Sequence, residues 1–203
     1  MDGVLLDTEP LYTKVFDLLL APYGASLDPV TKLEIMGRTA IKSALHVIRK
    51  FSLPLTPEEF VLRREPLLLE IFSSSPAMKG AESFVRALKS QGMALAVATS
   101  TAKALFETKT QGHSWFELFD EIVCGDDAEV AQAKPAPDIF LVAARRLNMR
   151  PNTLAIFEDS PAGVQAARAS GAYVYALIDA ATDPTKYHEA HHIVHSFSAS
   201  GFV

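Results

Sequence analysis

The sequence predicts an α/β fold, a doubly wound parallel sheet with an all-helical insert, and three observations carry that prediction. Four apolar runs of strand length, at 93–98, 121–124, 154–157 and 173–177, alternate with helical stretches, as strands buried on both faces of a parallel sheet do. Residues 10–75 show helical spacing and no convincing strand, so they form the insert. Polar residues follow the strands at or just beyond their carboxyl ends, which in this architecture is where ligands bind.

Taken in order, Tyr12, Val15, Phe16, Leu19 and Leu20 recur at helical spacing, and the stretch ends near Pro22-Tyr23-Gly24. Helices are expected at 29–36, 39–50 and 57–72. Thr56 supplies an N-cap for the last, Pro57 its first residue, and Glu58 and Glu59 its first-turn acids. Pro66 is expected to kink it. An amphipathic helix at 81–90, closed by Gly92, precedes the first strand. Asp159-Ser160-Pro161 has the form of a helix start with Ser160 as cap. Asp126-Asp127 follows a strand and reads as structural loop. His188, His191, His192 and His195 would share one helical face, but His192-Ile193-Val194-His195 reads as a short strand that splits them between faces, and they are expected at a solvated surface.

With 203 residues, 49% of them apolar, the chain can bury a full core as one domain with a sizeable insert. A net charge of −5 gives no electrostatic reason to bind nucleic acid or an anionic membrane. No run approaches the ~18 apolar residues of a membrane span, and Met1-Asp2-Gly3 lacks the basic start of a secretory signal. The single Cys124 excludes an internal disulfide framework and fits a reducing compartment. The expectation is a cytoplasmic protein, monomeric or a weak dimer.

The chemistry is carried by Asp2-Gly3-Val4-Leu5-Leu6-Asp7-Thr8-Glu9, Thr99-Ser100-Thr101, Lys134-Pro135 and Glu158-Asp159. On one rim of a parallel sheet these hydroxyls, the lysine and the carboxylates converge. Hydroxyl and ammonium groups hold a phosphoryl group, and adjacent carboxylates hold Mg2+, a hard cation that prefers oxygen. In order and over nearly the whole chain the four motifs resemble those of the haloacid dehalogenase-like hydrolases, whose core is Rossmann-like. The resemblance implies that Asp2 is the general acid and base and lends its backbone carbonyl to the metal. It further implies that Thr99, with Ser100, binds the phosphoryl group, that Lys134 offsets charge on nucleophile and phosphate, and that Glu158 and Asp159 bind Mg2+. Residues 1–9 and 76–203 then correspond to the core and 10–75 to the family's helical cap, in which Arg38 of Gly37-Arg38-Thr39 is expected to reach the substrate. Phe106-Glu107-Thr108-Lys109-Thr110 and the stretch from Gly125 to Phe140 look most like the pseudouridine-5'-phosphatase branch, among the beta-phosphoglucomutase-like phosphatases.

In the resembling family the first aspartate of the opening motif attacks phosphorus, and here its place would fall before Met1. The strand leading to it lies between those ending at Thr99 and Phe157. Removing it would leave flanks roughly 10 Å apart, given strand spacings of about 4.8 Å. The expectation is therefore a fragment or displaced start, inactive as it stands and unstable unless the flanking strands close together or another segment fills the gap. The expected function is Mg2+-dependent hydrolysis of a small phosphorylated metabolite, a sugar or nucleoside monophosphate, through an aspartyl phosphate. The alternatives are a sugar phosphomutase and a non-catalytic protein that binds a phosphometabolite or Mg2+.

Overall fold

The computed structural model describes residues 1–35, 40–180 and 182–197. The chain divides into two compact units, Thr8–Ser75 and the combination of Met1–Asp7 with Pro76–Val203.

The first unit is helical: α1 (Glu9–Leu20), α2 (Pro29–Ile35), α3 (Ala40–Phe51) and α4 (Pro57–Phe72). Its core joins Val15, Phe16 and Leu20 of α1, Val47 of α3, and Phe60 and Phe72 of α4. Tyr12 meets Phe72 edge-on at 4.7 Å. The predicted cap of α4 is a full capping box, with Glu59 N–H donating to Thr56 Oγ1 at 3.1 Å and Thr56 N–H to Glu59 Oε2 at 2.8 Å. Pro66 lies inside α4 without ending it.

The second unit contains α5 (Ala81–Ser90), β1 (Ala96–Ala98), α6 (Lys103–Thr110), β2 (Glu121–Val123), α7 (Asp138–Arg146), β3 (Ala155–Glu158), α8 (Pro161–Ala169), β4 (Tyr173–Leu177) and β5 (His192–Val194). These strands pair in parallel throughout and form two sheets, β1-β2 and β3-β4-β5. Helix α7 packs on β1 and β2, and α8 on β3 and β4. The strand expected from Met93 begins only at Ala96. Asp120 intervenes: its carboxylate accepts from Leu95 N–H at 2.8 Å while paired with Lys89 at 2.6 Å, which draws the run out of the ladder.

Strands β1 and β3 have not closed on each other. Between them lies a cavity of about 180 Å³, lined by apolar side chains of α5 and α7, by both strands, and by Met1, Val4, Leu5 and Phe197. The N-terminal residues form a tight loop at its end. Met1 carbonyl accepts from Leu5 N–H at 2.7 Å and Leu6 N–H at 3.1 Å, and Gly3 takes a φ of 66°. Leu6, fully buried, fixes the loop in the core. Among the described residues no helix is long and apolar enough to cross a membrane.

Candidate active site

The sequence motifs meet around the N-terminal loop in two clusters. On the β3 side Glu158 ends the strand, and Lys134, from the loop between β2 and α7, forms an ion pair with Glu158 Oε1; the lysine side chain is 12% and the glutamate 5% exposed. The Lys134 ammonium also lies 4.8 Å from the Phe140 ring centre, a favourable cation–π position. Ser160 does two jobs: its hydroxyl accepts from Gly163 N–H at 3.1 Å, capping α8 as expected, and lies 3.1 Å from Glu158 Oε2. Asp159 is set against the backbone of Gly3, where a side chain would overlap its carboxylate. Its backbone carbonyl accepts from the Tyr187 hydroxyl at 2.8 Å.

Charge on this side is unbalanced. Burial alone would raise the Glu158 pKa, but Lys134 outweighs it and holds that carboxyl below the usual range. Asp159 is answered less fully: burial, then the Glu158 charge, push it up to about 7 against the opposing pull of the Met1 amino group and Lys134. The Met1 amino group is buried beside this cluster, and burial, followed by Lys134, lowers its pKa.

On the β1 side Thr99 is buried at the strand end, its N–H donating to Val123 carbonyl at 3.0 Å and its hydroxyl accepting from Thr101 N–H at 3.2 Å. Ser100 is exposed, and its backbone carbonyl packs so closely on Gly125 that no side chain fits there. Asp2 is gripped from two directions: Lys109 Nζ is 2.6 Å from Oδ1, and the Thr101 hydroxyl donates to Oδ2 at 2.9 Å.

Thr99, Ser100, Lys134, Glu158, Asp159 and Asp2 thus belong to one unit, while Arg38 lies outside the described residues. Asp126 accepts from Lys103 N–H and Asp127 pairs with Arg146, both structural as expected. The histidines serve local packing: His191 stacks on Tyr173, and His195 Nδ1 lies 2.9 Å from Ile178 carbonyl. Sequence reasoning placed Thr101 among the strand-end hydroxyls without a role of its own and gave none to Lys109 or Tyr187. Lys109 left a signal, standing three residues after buried Phe106 and so on the inward face of α6; Tyr187 left none.

No three His, Cys, Asp or Glu side chains converge as a metal set among the described residues. Glu158 and Asp159 nevertheless offer adjacent hard oxygens, crowded enough that Asp159 is raised, a donor pair that fits Mg2+.

A parallel α/β unit with lysine, hydroxyls and an acidic pair gathered at strand ends defines a phosphate-handling class of hydrolase. The chain belongs to the haloacid dehalogenase-like hydrolases, whose family model matches residues 1–171. It is 40% identical over 189 residues to "(DL)-glycerol-3-phosphatase 1, mitochondrial" of Arabidopsis thaliana, covering 90% of this chain but 63% of that protein, less than two thirds of its length. It is 38% identical to the Drosophila melanogaster protein named "Probable pseudouridine-5'-phosphatase", with 88% and 79% covered. Among solved structures, CbbY from Rhodobacter sphaeroides in complex with phosphate is similar with a TM-score of 0.79, 27% identity, and 99% and 93% coverage.

Proposed function

We propose that this protein is a Mg2+-dependent phosphatase of a small phosphorylated metabolite, such as a polyol, sugar or nucleoside monophosphate. The observation that carries the reading is the buried Lys134–Glu158 pair beside an undercompensated Asp159 at the carboxyl end of β3. Lys134 and the Thr99 hydroxyl bind the phosphoryl oxygens, which is mainly electrostatic work on a group in transfer. Glu158 and Asp159, with the backbone carbonyl of Asp2, would hold Mg2+, which supplies further positive charge to those oxygens.

In the haloacid dehalogenase-like hydrolases the attacking group is an aspartate carboxylate. Its oxygen attacks phosphorus as the ester P–O bond breaks, and Asp2 gives its proton to the leaving oxygen. Asp2 then takes a proton from water, which attacks the acyl phosphate and releases inorganic phosphate. By resemblance the helical unit corresponds to the family's cap, with Arg38 contributing to substrate recognition. A single thiol, Cys124, buried and free, suits a reducing, cytoplasmic setting.

The test is phosphate release from glycerol 3-phosphate, a nucleoside 5'-monophosphate and a hexose phosphate, with and without Mg2+. The chain is assayed as it stands, extended before Met1 by an apolar strand ending in aspartate, and extended by the same strand ending in asparagine. Mg2+-dependent release by the aspartate version alone is expected. Isomerised sugar phosphate in place of inorganic phosphate would convert the reading to a mutase, and turnover by none of the three to a binding protein.

A further inference from the structure

We propose that Lys109, together with Thr101, is a positioning pair that fixes the Asp2 carboxylate for proton transfer; this rests on the acid–base role given to Asp2 above. The Lys109 side chain is fully buried, whereas that of Asp2 is 29% exposed. Burying an ammonium is costly unless a carboxylate or other acceptors meet it, and lysine is almost never fully buried without a partner. The inward face of α6 already has Phe106 for apolar packing. Methionine or leucine at 109 would serve packing without the desolvation cost, so packing alone does not account for a lysine there.

Geometry adds a second argument. Lys109 Nζ holds Oδ1 at 2.6 Å and the Thr101 hydroxyl holds Oδ2 at 2.9 Å, so both oxygens, and with them the carboxylate plane, are fixed. Both donors come from one strand-to-helix unit, the same that presents Thr99. The hydroxyl assigned to the phosphoryl group and the acid assigned to the leaving oxygen are therefore oriented by one rigid element, as a reaction limited by alignment requires.

The experiment is a cycle of Lys109→Met, Asp2→Asn and the double variant, read first by thermal unfolding of the chain as it stands. Asp2→Asn leaves a buried ammonium facing an uncharged amide and should lower Tm by several degrees, the usual scale for losing a buried partner. Lys109→Met added to it should restore most of that loss. Additive shifts would overturn the clamp. The second readout is turnover by the strand-extended protein: Lys109→Met should lower kcat by about 100-fold at nearly constant KM, the scale of a lost general acid–base contribution. Thr101→Val should lower it less. An unchanged kcat overturns the positioning role. If none of the proteins turns over any phosphomonoester, the proposed function has failed, and the unfolding cycle alone then decides whether Lys109 holds Asp2.

Discussion

Two lysines, Lys109 buried and Lys134 half-buried, each paired with a carboxylate, serve the two sheets of the α/β unit, and they are balanced differently. On the β1 side Lys109 pairs with the Asp2 carboxylate, whose second oxygen accepts from the Thr101 hydroxyl. On the β3 side Lys134 faces Glu158 while Asp159 adds a second acid that no side chain compensates to the same degree. The first arrangement is closed and holds a group still. The second crowds two acids together beside Lys134 and the Met1 amino group, and Asp159 is raised by that crowding. Orientation is thus assigned to one side of the cavity and electrostatic stabilisation to the other.

The harshest way to break this contrast is Lys134→Met. Losing one partner of a buried pair costs about 3–5 kcal/mol, and urea unfolding should register a fall of that order. Added Mg2+ should recover part of the loss in Lys134→Met, because the cation replaces the missing charge beside Glu158. A loss below about 1 kcal/mol would mean that Glu158 finds another cation and that the two sides are not distinct in this way.

Next in size is the response to Mg2+ itself. At a concentration 100 times its dissociation constant a ligand stabilises the folded state by about 2.7 kcal/mol. The wild-type chain should gain thermal stability on Mg2+ addition, and Asp159→Asn should be as stable or more stable without metal while gaining nothing from it. Equal gains in both would remove Asp159 from the metal site.

A smaller effect is expected at Gly163, where a Cβ would overlap the Glu158 carboxylate. Alanine ordinarily favours a helix by about 1 kcal/mol over glycine, yet Gly163→Ala should destabilise by about 1–3 kcal/mol, the range for overpacking. In the Lys134→Met background the carboxylate keeps only its Ser160 contacts and can give way more easily, so the penalty should shrink. Chemical denaturation of the two single variants and the double one decides this, and equal penalties in both backgrounds would place the strain elsewhere.

What the sequence revealed divides along physical lines. Elements specified locally were legible: the Thr56–Glu59 capping box, the Ser160 cap and the β4 strand stand where their residues predict. So was the gathering of Lys134, Glu158 and Asp159, because each follows a strand of a parallel sheet. The early departure of 93–95 from the ladder was not legible, since it depends on Asp120, a residue 25 positions from Leu95. Nor was the Lys109–Asp2 pair, whose partners are 107 positions apart and meet only through the packing of α6. The two sides of the cavity differ in the same way, the Lys134–Glu158–Asp159 cluster being written in motifs and the Lys109–Asp2 pair in tertiary contacts.

The mildest probe of the contrast is the thiol of Cys124, which directly follows β2. Burial, then the charges of Asp126 and Asp127, push its pKa up to about 11 from an ordinary 9. The reactive form is the thiolate; at pH 8 the shift of two pH units lowers its population about 100-fold, and burial slows access further. Iodoacetamide should therefore label native Cys124 more than about 100-fold slower than the unfolded chain, with a rate that rises about tenfold per pH unit up to pH 10. If the sheet formed by β1 and β2 opened readily along its cavity edge, labelling would approach the unfolded rate. It would then also slow when an apolar strand is added before Met1. Slow labelling with and without that strand means that β1 and β2 are held by their own packing, and that the rigidity assigned to the Asp2 side does not depend on what occupies the cavity.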